Sequence, residues 1–392
     1  MSLPLPLPEL STDELAHTAR VAVRLQQEIV AAGGWISFAR YMQIALYEPG
    51  LGYYSAGAAK LGPGGDFVTA PEVAPVFSCC VAAQCSEILY RIGGGSVLEL
   101  GAGSGAMAAG ILAEMARLEC LPREYLILDV SADLRERQRA TLDAAVPGLV
   151  DRVRWLDALP EDFEGTVVAN EVIDAMPVER FLIRSGAVHA LGVACRGEGF
   201  EWSERPAPDA LAALVRRIEQ ETGESLPEGF VSEINTGLGP WIAAVGRALS
   251  RGVVLFIDYG LPRREYYAAE RSSGTMLCHF RHRFHDDPFL YPGLQDIGSW
   301  VDFTAVAEAG VAAGLELAGY TTQAHFLIGN GIGDYVAAAG ELEITQRLNI
   351  SRQVMLLTLP GEMGERFKAI ALQKQCPGPL RGFSTRDLGH LL

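Results

Sequence analysis

The sequence predicts an α/β protein built on a doubly wound, mostly parallel sheet, and three observations carry that reading. Apolar strand-like runs alternate with helical periodicity from Ser96 onward. The first run ends in a glycine-rich turn, Gly101-Ala-Gly-Ser-Gly105. Acids then stand at the ends of successive strands, at Glu99, Asp129 and Asp157. Continuous apolar strands separated by helices are the pattern of a parallel sheet covered on both faces.

Taken in order, Thr12–Ala32 carries apolar residues at helical spacing (Leu15, Ala19, Val23, Ile29, Val30) and stops at Gly33-Gly34, which predicts a helix. Ile36–Leu46 reads as a second helix. Gly50–Asp66 holds six glycines by Gly65 together with Tyr53 and Tyr54, the composition of a connector or a functional lid. A helix over about Ala74–Arg91 leads to Gly93-Gly94-Gly95. The strands expected next are Ser96–Leu100, Tyr125–Val130, Val153–Leu156 and Thr166–Ala169, with helices over Ala106–Arg117 and Asp133–Ala145. Phe181–Trp202 reads as strands around a turn, an insertion rich in β-structure. Helices over Asp209–Thr222 and Gly239–Ser250 precede a buried strand, Val253–Ile257, that ends on Asp258-Tyr259-Gly260. Arg263–Ser299 reads as irregular, Thr304–Ala313 as helix, and Leu315–Thr321 and Phe367–Leu372 as the last strands.

The organisation expected is a helical N-terminal region with its glycine-rich lid at 1–92, the α/β domain in two parts at 93–180 and 251–375, a substrate-region insertion at 181–250, and a tail at 376–392. With 392 residues, half of them apolar, the chain can bury a large core. Its net charge of −16 opposes nucleic-acid binding, which rests on a basic surface, and favours a basic partner. Seven cysteines without a Cys-x-x-Cys pair fit a reducing compartment. Met1–Pro8 lacks a basic n-region, and the most apolar stretch, Val73–Cys85, contains Pro75, Ser78 and Gln84. A cytoplasmic protein without a membrane span is the expectation.

Glycines 101, 103 and 105 let a backbone approach a ligand closely. Gly101, Gly103 and Ala106 would also satisfy a dinucleotide pattern, so the glycine spacing leaves the ligand open. Glu99 favours S-adenosylmethionine, because a carboxylate there repels a pyrophosphate and welcomes a sulfonium and an amino group. Asp129 ends the second strand, where an acid accepts ribose hydroxyls, and Asp157 follows the third, where an adenine edge would lie. Each acid alone reads equally as a solvated strand-end charge.

On these segments the sequence resembles the MidA-like methyltransferases, the family of the mitochondrial complex I assembly factor that methylates arginine. The likeness runs from about Ile36 to Leu372 and is carried by Phe38–Pro49, Gly52-Tyr-Tyr, Gly65–Glu72, Glu99–Gly105, Asn170–Pro177, Phe256–Gly260, Gly274-Thr275 and Val301–Phe303. Two departures are Phe77-Ser78 in place of Phe-Gly and Gly298-Ser299 in place of Thr-Ala. The resemblance implies a class I, Rossmann-like methyltransferase sheet of seven strands with the last antiparallel, and an added helical and β-rich substrate region. It implies S-adenosylmethionine as cofactor and an arginine-bearing protein, such as a respiratory complex I subunit, as acceptor, with a homodimer among the expectations. It also places Asp66 and Thr69 at a cofactor lid (or a turn and a helix cap) and Tyr259 and His282 at the substrate.

Asn170-Glu171-Val-Ile-Asp174 follows the fourth strand, at the rim where such sheets bind ligands. Glu171 and Asp174 are the expected catalytic pair, since paired carboxylates grip a guanidinium and stabilise its charge. The alternative is a helix N-terminus with acids in its first turn. Asn170 would serve the cofactor through its backbone carbonyl. An adenine methyltransferase would carry Asn/Asp-Pro-Pro-aromatic at this point, and Glu171-Val172 does not match it. His279, His282 and His285 drift around a helix at a spacing of three and predict no metal site. An active protein-arginine methyltransferase, a cofactor-binding assembly chaperone and a small-molecule methyltransferase remain as alternatives.

Overall fold

The computed structural model describes residues 8–56, 69–129, 131–338, 340 and 343–392. These form two compact units, each assembled from three separate stretches of chain.

One unit comprises Val68–Ile173, Leu238–Pro262 and Val301–Leu392. Its sheet runs, edge to edge, through Glu316–Thr322, Phe367–Lys374, Leu249–Leu261, Phe163–Asn170, Ser96–Leu100, Tyr125–Leu128 and Val153–Leu156. All are parallel except Phe367–Lys374, which runs against both neighbours. The seven strands and the antiparallel last one match the expectation. Val301–Asp302 adds a short parallel pairing at Gly260–Leu261. Consecutive residues of a strand face opposite sides, and the neighbours Val97 and Leu98, like Val253, Val254 and Leu255, are all buried. That is why these strands read as unbroken apolar runs: helices cover both faces.

Among those helices, Pro75–Ile92 crosses Ala106–Arg117 very closely. A Cβ added at Gly110 would stand 2.5 Å from the Ser78 Cβ, so the first departure from the family pattern lies in a helix–helix contact of the core. Three helices that the sequence reading did not find, Gln323–Gly329, Ile332–Ala338 and Ile344–Thr358, follow the Glu316–Thr322 strand. The last has Ile344, Leu348 and Met355 exposed, which blurs its apolar periodicity.

The other unit comprises Met1–Phe67, Asp174–Gly237 and Arg263–Trp300. Helix Thr12–Ala31 starts in a capping box: Ser11 Oγ accepts the Glu14 N–H at 3.3 Å, and Glu14 Oε2 accepts the Ser11 N–H at 2.8 Å. Its buried stripe is Val21, Leu25 and Ile29, while Leu15, Val23 and Val30 face out. Ile36 does not begin a helix. Ser37 caps Phe38–Tyr47 and must be extended to do so, and Ile36–Ser37 pairs with Val193 and Gly192. The insertion forms a sheet of Ile36–Ser37, Ala187–Arg196, Glu179–Arg184 and Val231–Ile234, with Gly199–Pro206 beside Ala187–Arg196. Within the stretch read as irregular, Leu277–Phe280, Arg283–His285 and Asp296–Gly298 form a second, three-stranded sheet. Phe38, Tyr41, Tyr53, Val193, Cys278 and Ile297 belong to this unit's core.

All seven cysteines are free thiols. Among the described residues no helix is long and apolar enough to cross a membrane.

Candidate functional site

From Ser96–Leu100 the chain steps outward to Tyr125–Leu128 and Val153–Leu156, then returns to lay Phe163–Asn170 on the other side. The connections leaving the Ser96 and Phe163 strands therefore diverge. A crevice at such a switch point is where open α/β sheets hold ligands. Glu99 and Asn170, near the ends of those two strands, are both buried.

Glu99 is 1% exposed, and its Oε2 accepts the Tyr125 hydroxyl at 2.7 Å. Burial pushes its carboxyl up to about 7; the Tyr125 hydrogen bond opposes that rise and the neighbouring Asp129 carboxylate adds to it. A carboxyl poised there is ready to meet a cation. Gly101, Gly103 and Gly105 have φ of 68°, 54° and 83°, the left-handed region that a side chain resists. A Cβ at Gly105 would press within 3.0 Å of the Gln138 backbone in helix Ala132–Ala145.

Gln138 is fully buried and ties the turn to the second strand. Its Nε2 donates to Gly103 O at 3.1 Å and to Asp129 Oδ2 at 2.8 Å, while its Oε1 accepts the Trp155 indole N–H at 2.9 Å. Asp129 Oδ1 accepts the Ser131 N–H at 3.3 Å. The sequence reading missed Gln138 and Tyr125. The available signal was a lone neutral amide inside the charged helix Asp133-Leu-Arg-Glu-Arg-Gln-Arg139. Asp157 stands apart from this buried group: its side chain is 92% exposed and paired with Arg135 at 2.8 Å. The same guanidinium donates to Asp129 O and Leu156 O, bracing two strand ends.

Thr69 caps the short helix Ala70–Val73, its N–H donating to Glu72 Oε2 at 3.3 Å. Asp66 lies outside the described residues. Glu171 Oε1 accepts the Asn170 amide at 3.1 Å and faces the Ala70 N–H at 3.5 Å. Among the described residues Asn170 Oδ1 is buried without a hydrogen-bond partner, a cost that a ligand donor would relieve. No helix follows Asn170: residues 171–178 are bends and turns up to the strand Glu179–Arg184, so the helix-capping alternative for the two acids does not apply. Asp174, 6% exposed, is the first residue of the other unit, where its carbonyl accepts the Ser299 N–H at 3.0 Å. The second family departure thus touches the backbone of Asp174. The peptide link Ile173–Asp174 is one of the points at which the chain passes between units.

Asp258, at the end of the Leu249–Leu261 strand, was noted in the sequence only as a strand end. It is 1% exposed and accepts three backbone N–H groups. Tyr259 follows it, its ring edge-on to Phe367 at 5.5 Å. His282 is at the exposed tip of a hairpin rather than on a helix: Cys278 pairs with His285 and Phe280 with Arg283, and Arg281 and His282 take φ of 48° and 60°. Among the described residues no cluster could hold a metal.

A seven-stranded sheet with one antiparallel strand, a glycine turn and buried acids at its switch point defines a class I S-adenosylmethionine-dependent methyltransferase. Comparison with known proteins narrows this. A family profile for S-adenosyl-L-methionine-dependent methyltransferases matches residues 80–321. A structure from Burkholderia thailandensis bound to S-adenosyl-homocysteine is 45% identical, with a TM-score of 0.95 over 99% of this chain and 100% of that one. A native structure from the same organism is 44% identical, TM-score 0.92, with the same coverage. Among curated proteins, the mitochondrial protein arginine methyltransferase NDUFAF7 homolog of Drosophila melanogaster is 25% identical, covering 95% of this chain and 89% of its own length. The Danio rerio NDUFAF7 is 26% identical, covering 93% and 92%. The chain belongs to the MidA-like family of S-adenosylmethionine-dependent methyltransferases, and its cofactor is S-adenosylmethionine.

Proposed function

We propose that this methyltransferase modifies an arginine of another protein, with a respiratory complex I subunit as the first candidate. The observation that carries the reading is the pair Glu171 and Asp174 in the turn that leaves the Phe163–Asn170 strand, with no helix for them to cap. The curated relatives named as protein arginine methyltransferases support it, and the net charge of −16 suits a basic acceptor.

The cofactor supplies an electrophilic methyl group on a sulfonium. Glu99 would face its amino group, helped by the Asn170 carbonyl, and Asp129 would accept its ribose hydroxyls. Glu171 and Asp174 would accept N–H groups of the guanidinium, hold one nitrogen in line with the methyl carbon and take the proton that nitrogen loses, as the C–N bond forms, the C–S bond breaks and neutral S-adenosylhomocysteine is left.

The test is mass spectrometry of proteins from cells with and without this gene product. Loss of methylation at one arginine, restored by the wild-type chain and not by Asp174→Asn, is the expected result. An unchanged arginine methylome alongside an unmethylated metabolite would overturn the acceptor and leave the cofactor chemistry standing.

Glu99 gives the cofactor step a pH dependence. Its carboxyl titrates near 7 in the folded, cofactor-free protein against 4.5 as the ordinary value. Its contribution to stability is therefore full below about pH 4.5 and is lost as the pH rises to about 7, on the order of 3 kcal/mol. Cofactor binding works in the opposite sense, because the cationic amino group needs the ionised form. Affinity for S-adenosylhomocysteine should climb with pH to about 7 and level off above it, with protons released on binding below that point. In Glu99→Gln the climb should vanish and the affinity at pH 8 should fall. Calorimetry across pH 5.5 to 8.5 in buffers of different ionisation enthalpy reads both, and a flat wild-type profile removes Glu99 from the amino group.

A further inference from the structure

We propose that Asp258 is a positioning residue: it sets the backbone of Asn170–Ile173 and thereby aims the Glu171 carboxylate. The proposal rests on the reading of Glu171 as an acceptor-facing group.

The strand pairing ends where the work begins. Asn170 is the last residue of its strand in register with Leu249–Leu261, opposite Ile257. The next N–H, that of Glu171, still donates to Ile257 O at 2.9 Å, but Glu171 itself turns to φ 55°. A non-glycine residue holds that left-handed backbone only when its surroundings enforce it. Because residues 171–178 form neither helix nor strand, the N–H groups of Val172 and Ile173 have no ladder to join, and buried amides must find acceptors. Asp258 Oδ2 takes both, at 3.2 and 3.0 Å, and its Oδ1 takes the Tyr259 N–H at 2.9 Å.

One carboxylate thus fixes the residues on either side of two strand ends. The acceptor must be ionised to do this well: a carboxylate offers lone pairs on both oxygens, whereas an asparagine accepts on one side only. Lys368, itself buried, stands opposite Asp258 across the antiparallel pairing and supplies a cation on the same face of the sheet. Space is limiting as well. A Cβ at Gly101 would come within 3.0 Å of Val172 Cγ2, so the turn of the cofactor motif packs directly against the loop that Asp258 holds. Displacing the loop would be felt at the carboxylate first, since Glu171 is its strained member.

The experiment is a double-mutant cycle between Asp258→Asn and Glu171→Gln. The readouts are transfer of labelled methyl groups from S-adenosylmethionine to proteins of a lysate lacking the enzyme, S-adenosylhomocysteine affinity, and the crystal structure of Asp258→Asn. Asp258→Asn should lower transfer at least tenfold and leave S-adenosylhomocysteine affinity within a few fold. Adding Glu171→Gln should then cost nothing further, and the crystal structure should show Glu171 relaxed out of its positive φ. Losses that multiply, or a Glu171 that keeps its positive φ, overturn the proposal, because Asp258 would then act only on the fold. If Glu171→Gln alone leaves transfer intact, the acceptor-facing role of Glu171 fails on its own account, and the crystal structure of Asp258→Asn decides the positioning role. Should Asp258→Asn not accumulate as folded protein, Asp258→Glu keeps the charge and pushes the loop outward; wild-type transfer in that variant overturns the proposal.

Discussion

Gly103→Val abolishes measurable binding of S-adenosylhomocysteine while the chain stays folded: this is the largest effect expected. Gly103 sits at φ 54° between two other glycines in left-handed backbone, and its carbonyl accepts the Gln138 amide. A β-branched residue at that φ is strained by about 1–2 kcal/mol. Relieving the strain moves the carbonyl, breaks the Gln138 bridge to Asp129 and puts methyl groups where the backbone meets the cofactor. Together these losses should weaken binding at least a hundredfold, about 3 kcal/mol or more. Calorimetry checks it, with circular dichroism to confirm folding. An affinity within threefold of wild type would place the cofactor elsewhere.

Asp174→Asn should lower turnover by roughly 10²-fold, the scale of losing one electrostatic partner of a transition state. Cofactor affinity should stay within a few fold. Asp174 is buried and its backbone is tied to Ser299, so the amide is expected to occupy the same place without the charge. Glu171→Gln should show the same pattern. Single-turnover transfer at saturating cofactor separates this from weakened binding. If both variants turn over normally, these carboxylates serve the loop and the acceptor is gripped by other groups.

The sheet was legible because its central strands are buried on both sides. Residues such as Val253–Ile257 need no partner to be read as strand. The cofactor turn was legible for a related reason: glycine is the residue that takes positive φ without strain, and three at alternate positions mark one turn. What escaped was whatever depends on a distant partner. Ile36–Ser37 is a strand because Val193 and Gly192 lie beside it, and Leu277–His285 is a hairpin although its turn is Arg281-His282 rather than a glycine pair. Gln138 and Asp258 were hidden in the same way. Each acts by bridging elements far apart in sequence, and neither residue type announces a role on its own. Asp157 shows the reverse limit: a strand-end acid fits the pattern, yet its side chain is exposed and held by Arg135.

The discontinuity of the two units fixes the order in which the chain can fold as it leaves the ribosome. The strands Ser96–Leu100, Tyr125–Leu128, Val153–Leu156 and Phe163–Asn170 are made first and can pair among themselves. Phe163–Asn170 must then wait with an open edge while the Asp174–Gly237 insertion is synthesised, until Leu249–Leu261 arrives to cover it. An unpaired apolar strand edge is an invitation to aggregation. The N-terminal helices wait longer still, because their unit lacks its three-stranded sheet until Trp300 has emerged. Neither unit can therefore be released by a single cut, and a truncated chain is an unfinished one: a stalled ribosome would present an exposed sheet edge to the cell's chaperones.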